Sequence, residues 1–156
     1  MSERENQGRR NLRARGVTFG EPVSIDLEVP FYEVDPLGIV WHGHYFKYFE
    51  RARIALLRHH DLDAGDFRGL SRRVLVVETG CRHLYPLTYA DRFRVTAYFS
   101  EVEARLRIGY ALWNISKERK AARAFTTLVI TDDEGNLLWR VPEEIRGRIV
   151  AKTPNH

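Results

Sequence analysis

A carboxylate and an imidazole that lie seven residues apart, Asp35 and His42, are the side chains in this sequence best suited to chemistry. Asp35 stands in a short turn with Pro36 and Gly38, and the apolar run 39–41 that follows must be buried. An aspartate before proline commonly initiates a turn. At the edge of an apolar pocket, the same carboxylate could also act as a general base or as a nucleophile towards an acyl carbon.

A helix is predicted to begin close to His42, and its first turn offers a second chemical group. The first N–H groups of a helix have no partner within it and carry a partial positive charge. They can polarise a carbonyl and stabilise an oxyanion. His42 could act through its imidazole or through its backbone N–H, and both alternatives stay open. With His44 it forms an H-x-H pattern, but without a convincing third ligand we predict no metal site.

Other catalytic patterns are absent from the sequence. It contains no G-x-S-x-G nucleophile elbow, no G-x-G-x-x-G and no P-loop. Cys81 stands two residues before His83, but a structural cysteine is the favoured interpretation. Because it is the single cysteine, no disulfide can form within the chain, and a cytoplasmic location is expected.

Length and composition indicate one globular domain with a basic tail. The 156 residues are 44% hydrophobic and 29% charged, and no apolar run is long enough to span a bilayer. Residues 1–15 hold five arginines against two glutamates, so they carry +3 of the formal net charge of +4. We predict a flexible basic tail over residues 1–20, a single domain over 21–150 and a short tail over 151–156. Nucleic-acid binding by the basic tail is the less favoured alternative.

The spacing of apolar residues predicts the elements that position the candidate groups. Alternation over residues 23–32 indicates a strand, and three- and four-residue spacing over about 43–60 indicates a long helix. Residues 61–72 are predicted as a loop, and the β-branched run Val74–Val77 suggests a central strand. Alternating segments follow, with a short helix after Pro142. This order predicts an α+β fold, in which one long helix lies against a curved antiparallel sheet of about five strands.

The stretch from Phe31 to Arg53, FYEVDPLGIVWHGHYFKYFERAR, resembles a known family. It is similar to the hotdog-fold acyl-CoA thioesterases of the 4-hydroxybenzoyl-CoA thioesterase type, including the Tol-Pal-associated branch. Weaker similarity covers Tyr85–Asp91 and Phe125–Pro142, so the resemblance spans roughly residues 23–148. The resemblance implies a helix wrapped in a curved antiparallel sheet, protomers joined edge to edge, and active sites at the dimer interface. Dimers of the family often pair into tetramers.

The resemblance also implies roles for particular residues. The family acid corresponds to Asp35, and the family's functional histidine or backbone N–H corresponds to His42. Some members have a functional tyrosine where Phe31 stands here, and Tyr32 is its nearest substitute. Basic residues near the turn between the second and third strands of the meander meet the coenzyme A phosphates in related enzymes, which points to Arg105.

We therefore predict hydrolysis of an acyl-CoA or acyl-carrier-protein thioester, with Asp35 as base or nucleophile and His42 at the polarising helix start. No metal or redox cofactor is expected, because coenzyme A is part of the substrate. The alternatives are a hotdog dehydratase or hydratase, and an acyl-CoA-binding module without catalysis. The candidate substrate-binding residues are Tyr32, Trp41, Tyr45 and Arg105.

Overall fold

The fold is a five-stranded antiparallel sheet that curves around one long helix. The computed structural model describes residues 18–153. Across the sheet the strands follow the order β1-β3-β4-β5-β2, and every neighbouring pair is antiparallel. The predicted α+β fold is confirmed. The strands are β1 Phe19–Glu28, β2 Arg73–His83, β3 Arg92–Glu101, β4 Leu106–Asn114 and β5 Arg119–Thr131, and the helices are α1 Tyr45–His59, α2 Ala64–Gly69 and α3 Glu143–Val150.

Strand β3 shows how the sheet meets the central helix. Alternate residues of a strand point to one face, so a period of two builds one apolar face. Helix α1 runs along this strand, since the Tyr48 ring lies 4.8 Å from Phe93 and the His60 ring, just beyond the helix, lies 5.5 Å from Phe99. The fully buried residues of the strand are Phe93, Val95, Ala97 and Phe99.

Helix α1 buries a stripe along its length, as its spacing predicts. It begins at Tyr45, directly after a 3-10 turn over His42–His44. Phe46 remains 40% exposed, so the apolar arc of this helix is wider than the core of one protomer covers. The buried residues of the helix are Tyr45, Tyr48, Phe49, Ala52 and Leu56.

The first strand lies earlier than its alternation predicts. Strand β1 spans Phe19–Glu28, and Phe31–Glu33 forms a 3-10 turn instead of continuing the strand. Pro30 explains the change, because it has no N–H to donate to a neighbouring strand. The predicted tail over residues 1–20 lies largely outside the described residues.

A short helix, α2, lies where the sequence predicts only a loop. Its first turn is fixed by a reciprocal capping box, in which the Asp63 side chain accepts backbone N–H groups and the Asp66 carboxylate accepts the N–H of Asp63 at 2.8 Å. Two glycines, Gly65 and Gly69, favour a loop in this segment. The structure shows that the caps at its start outweigh them over six residues.

The prediction that Val74–Val77 forms a central strand is wrong. The run belongs to β2, which pairs with β5 alone and forms one edge of the sheet. Leu75, Val76 and Val77 are each about half exposed, at 51–56%. An apolar run predicts that a strand will be covered, but it does not say whether the sheet itself or another surface covers it.

The segment after β5 packs over one end of the curved sheet. Leu137 bridges to Thr131, and α3 follows Pro142, where the sequence predicts a short helix. The α3 residues Ile145 and Ile149 are fully buried. Within residues 18–153, no helix is long and apolar enough to cross a membrane.

Candidate active site

Asp35 lies in a tight hairpin that its own backbone and side chain help to form. Its N–H donates to the Ile39 carbonyl at 2.8 Å, and the N–H of Gly38 donates back to its carbonyl at 2.9 Å. Gly38 has φ of 79°, a left-handed conformation that glycine adopts at little cost. One carboxylate oxygen accepts the N–H of Leu37 at 2.8 Å. The other oxygen has no hydrogen-bond partner among residues 18–153, so Asp35 stabilises its turn and keeps one oxygen free.

A second loop clamps this hairpin from the sheet side. The Val40 N–H donates to the Leu87 carbonyl at 2.9 Å, and Ile39 bridges to Thr88. Asp91 fixes the loop, because its Oδ2 accepts the N–H of Thr88 at 2.9 Å and the Lys117 ammonium at 3.0 Å. Burial raises the pKa of Asp91, but hydrogen bonds from Thr88, Lys117 and Asn114 outweigh burial, and the net shift is downward. The acid turn therefore rests on an ionised carboxylate whose Oδ2 accepts several hydrogen bonds.

The start of α1, which directly follows the hairpin that holds Asp35, leaves backbone donors open. The 3-10 turn satisfies the N–H of His44, which donates to the Trp41 carbonyl at 3.0 Å, and the N–H of Tyr45, which donates to the His42 carbonyl. The N–H groups of His42 and Gly43 have no acceptor in the described part of the chain. Such unpaired donors at a helix start attract an oxygen that carries negative charge.

Aromatic and imidazole rings surround these donors. The Trp41 ring is half exposed, and its centroid lies 5.2 Å from that of His42 and 5.3 Å from that of His44. From the end of β2, the His83 ring packs edge-on against Tyr45 at 4.5 Å. Burial lowers the pKa of His83, and the electrostatic effect of His42 lowers it further. His83 was not among the predicted site residues.

Glu33 is a second acid that sequence reasoning missed. It lies two residues before Asp35 and is buried, with only 9% of its surface exposed. The Tyr48 hydroxyl donates to its Oε2 at 3.1 Å, and Nδ1 of His44 lies 3.7 Å from the same oxygen. The only sequence signal was the E-x-D spacing, which by itself does not predict burial.

The predicted substrate-binding residues fall into three environments. Tyr32 is 84% exposed beside the acid turn, and Trp41 is exposed at the helix start. Tyr45 is buried, and its hydroxyl accepts the Leu87 N–H at 3.2 Å, so its polar group is committed to holding the loop. Arg105 lies between β3 and β4 and pairs with Glu101 at 3.2 Å. The acid turn contacts the loop before β3, whereas Arg105 follows the other end of this strand. The ten residues of β3 make it roughly 30 Å long, which separates Arg105 from the acid turn.

A cavity of about 210 Å³ opens between α1 and the edge strand β2. Phe46 and Phe49 from the first turns of the helix face Val76 of the strand across it. Further along β2, burial raises the pKa of the Cys81 thiol to about 11, so the thiol is not ionised at neutral pH. The remaining lining residues are polar: Glu50, Arg53, Thr79 and Thr126.

Metal-ligating side chains do not converge in this region. Among residues 18–153, no group of three or more His, Cys, Asp or Glu side chains is arranged to hold a metal ion. His42 and His44 therefore lie near each other without a third ligand among those residue types.

Comparisons with known proteins agree with this architecture. A curated protein of Aquifex aeolicus (strain VF5) named "Putative esterase" is 38% identical over 74 residues, which is 47% of this chain and 58% of that protein. The match thus spans little more than half the length of that relative. A crystal structure of a hypothetical protein from Aquifex aeolicus superimposes with a TM-score of 0.72 and 27% identity, covering 81% of this chain and 98% of the other.

A named enzyme shares the same fold. The 1,4-dihydroxy-2-naphthoyl-CoA thioesterase from Synechocystis superimposes with a TM-score of 0.72 at 17% identity, covering 83% of this chain and 96% of that enzyme. The five-stranded antiparallel sheet around a long helix is the hotdog fold of such thioesterases. Residues 29–149 match the model of the thioesterase-like superfamily, and this match spans both the acid turn and the whole meander. The chain is therefore a hotdog-fold member of the thioesterase-like superfamily.

Proposed function

We propose that this protein hydrolyses acyl-CoA or acyl-carrier-protein thioesters, as the 4-hydroxybenzoyl-CoA and Tol-Pal-associated thioesterases do. The observation that carries the proposal is that one hairpin holds the Asp35 carboxylate, with a free oxygen, and leads into the unpaired N–H groups of His42 and Gly43, in a chain of this superfamily. An acid alone would be a turn residue. An acid beside open donors supplies both halves of an acyl-transfer site.

In this mechanism the thioester carbonyl oxygen accepts the N–H groups at the helix start, which stabilise the negative charge of the tetrahedral intermediate. Asp35 then acts in one of two ways. As a base it takes a proton from water, the hydroxide attacks the carbonyl carbon, and the proton passes to the departing thiolate. As a nucleophile it attacks the carbon itself and expels the thiolate, and water then hydrolyses the mixed anhydride. Neither route requires a metal or redox cofactor.

The cavity between α1 and β2 is the proposed site of the acyl group. It opens beside Phe46, one turn along the helix from the donors at His42 and Gly43. Its aromatic wall suits an aryl or short acyl chain. Tyr45, by contrast, acts through the loop that its hydroxyl holds rather than through direct contact with substrate.

The edge strand β2 is the proposed dimer interface. It presents a half-exposed apolar run on an unpaired edge, and such an edge is open to pairing with another strand. The other edge, β1, carries polar residues such as Ser24 and Asp26. Arg105 could contact a coenzyme A bound near Asp35 only if a second protomer brought it there. We expect the protein to sediment as a dimer or tetramer and Leu75→Lys to sediment as a monomer, while Ser24→Lys leaves the assembly intact.

Replacement of Asp35 by asparagine tests the proposed chemistry. We expect wild type to hydrolyse at least one member of an acyl-CoA panel, and Asp35→Asn to lose about 100-fold or more of kcat/KM while it still binds the substrate. Asp26→Asn is the matched control, because Asp26 forms a surface ion pair with Arg94 at 2.7 Å. Full activity of Asp35→Asn would eliminate the proposed role of this acid. Binding without turnover in wild type would favour a binding module, and hydration of an enoyl-CoA would favour a hydratase.

A further inference from the structure

Glu33 buries a carboxylate beneath the start of α1, and this requires a reason. Burial of a charged group is costly unless partners satisfy it. Its side chain is 10% exposed and accepts the Tyr48 hydroxyl at 3.1 Å. Its backbone is also engaged, because its carbonyl accepts the Trp41 N–H at 3.2 Å and its N–H donates to the Pro30 carbonyl at 3.2 Å.

These contacts join three segments whose relative positions matter for the proposed chemistry. Glu33 belongs to the turn that leads directly into Asp35. Its carbonyl fixes Trp41, the residue before the open donors of the helix start. Its carboxylate binds Tyr48, which is 4% exposed and packs on the core residue Phe93 at 4.8 Å. The acid turn and the helix start are thus both attached to the same buried group.

The surroundings of His44 extend this attachment. Its Nδ1 lies 3.7 Å from Oε2 of Glu33 and 3.2 Å from the Lys47 ammonium. Both contacts involve the same ring nitrogen, so the imidazole stands between the Glu33 carboxylate and the Lys47 ammonium. The ring also packs edge-on against Trp41 at 5.3 Å. Glu33 therefore lies beneath a ring whose backbone belongs to the same 3-10 turn as His42 and Gly43.

We propose that Glu33 is a positioning residue, which fixes the N–H groups of His42 and Gly43 relative to the Asp35 carboxylate. This rests on the proposed thioesterase function, and it assigns Glu33 no contact with substrate. A displacement of about 1 Å at a reacting centre can cost about 100-fold in rate. A buried anchor common to the acid and the donors would prevent such a displacement.

The test compares Glu33→Gln with two tyrosine variants. Glu33→Gln keeps the size and an acceptor for Tyr48 but removes the charge, whereas Tyr48→Phe removes the donor. Tyr110→Phe is the matched control, because it also deletes a buried hydroxyl, which donates to Thr126 at 3.0 Å. We expect Glu33→Gln and Tyr48→Phe to lower kcat about 10- to 100-fold with KM changed less than about threefold. Tyr110→Phe should retain kcat at a similar loss of melting temperature.

Hydrogen exchange gives a readout that does not depend on turnover. In Glu33→Gln, the amides of His44 and Tyr45, which are hydrogen-bonded within the 3-10 turn, should exchange faster than in wild type, and in Tyr110→Phe they should not. A kcat within twofold of wild type, or an equal loss in Tyr110→Phe, would overturn the positioning role. If wild type hydrolyses no thioester in the panel, the proposed function fails, and the exchange rates still decide whether Glu33 holds the helix start.

Discussion

Both ends of helix α1 carry histidines, but the ends differ in whether their backbone groups have hydrogen-bond partners among residues 18–153. At the start, His44 lies 3.7 Å from the buried Glu33, and the half-exposed Trp41 packs beside it. The N–H groups of His42 and Gly43 have no acceptor among residues 18–153. The helix start thus contacts the buried Glu33 on one side, while its first N–H groups, those of His42 and Gly43, remain available to a ligand.

At the other end, the chain satisfies the groups that a helix terminus exposes. Nε2 of His59 lies 2.9 Å from Oε2 of Glu21, and Nε2 of the buried His60 lies 2.9 Å from the Glu21 carbonyl. The Lys152 ammonium, from the segment after α3, donates to the His59 carbonyl. Cations are favourable near the C-terminal carbonyls of a helix, and here the protein itself supplies one.

The difference shows where an external ligand can act. Carbonyls at the end of α1 are covered by the protein's own C-terminal segment, while donors at the start remain available to a carbonyl oxygen or an anion. Both ends bear histidines, so residue type alone does not distinguish them. The distinction comes from which backbone groups the fold leaves without partners.

The largest expected effect comes from removal of one open donor. His42→Pro deletes the N–H, and Trp41, with φ −59° and ψ 133°, already has the extended conformation that a following proline favours. We expect a fall in kcat of about 100- to 1000-fold, the usual cost of losing an oxyanion donor. His42→Ala keeps the N–H and should lose less than about tenfold.

This pair also decides how His42 acts. Steady-state kinetics on the best acyl-CoA substrate, with circular dichroism to verify folding, give the comparison. If His42→Ala were as inactive as His42→Pro, the imidazole would be the acting group and the backbone interpretation would be wrong.

A smaller effect is expected from a methyl group added at Gly43, at the start of α1, and Gly147 in α3 provides the control. In Gly43→Ala the new Cβ would collide with the Trp41 ring, which must leave its place beside His42. We expect kcat to fall about tenfold as the turn shifts. Gly147→Ala, in α3, meets no heavy atom within 4 Å and should leave kcat unchanged. It should also raise the free energy of unfolding by about 0.5–1 kcal/mol, measured by denaturant titration. Equal kinetics for the two variants would contradict a functional difference between the ends.

Much of the fold could be predicted because its apolar spacing is regular. The alternation in β3 and the helical spacing in α1 reflect burial within one protomer, and both predictions were confirmed. The position of β2 in the sheet could not be predicted this way. Its apolar run Val74–Val77 indicates covering, yet the single chain leaves much of it exposed at an edge. The spacing of apolar residues indicates that a surface is apolar, but it does not indicate which element or partner covers that surface.

The candidate site was predictable only in part, for a similar reason. The turn signals around Pro36 and Gly38 indicate where Asp35 lies, and helical spacing indicates where α1 begins. Glu33 carries no such signal, because its burial depends on Tyr48, fifteen residues away. The position of His83 likewise depends on the strand pairing that brings the end of β2 beside Tyr45. Local patterns predict where a turn or a helix start lies, but they do not predict burial or contacts that depend on distant parts of the chain.

The smallest effect concerns the closed end and appears in stability rather than turnover. Burial lowers the pKa of His60, His59 and Lys152 lower it further, and the Glu21 carbonyl partly opposes them. Its Nδ1 is buried without a partner among the described residues. Because the folded-state pKa lies below the ordinary value, protonation favours the unfolded chain. The stability contributed by neutral His60 is complete above a pH of about 6.5 and is lost as the pH falls through the folded-state pKa.

His60→Gln removes this titration while it keeps a donor for the Glu21 carbonyl. We expect the wild-type melting temperature to fall between pH 7.5 and 5.5 by more than that of His60→Gln, with each kcal/mol appearing as about 2–4 °C. His59→Gln, which alters the partly exposed neighbour, should keep most of the wild-type pH dependence, because burial of His60 is the largest cause of its lowered pKa. Turnover at neutral pH should be the same in all three proteins, because this end of α1 faces no open donor. Parallel melting curves for wild type and His60→Gln would show that the buried imidazole does not control acid stability, and a loss of kcat in His60→Gln would break the contrast between the two ends.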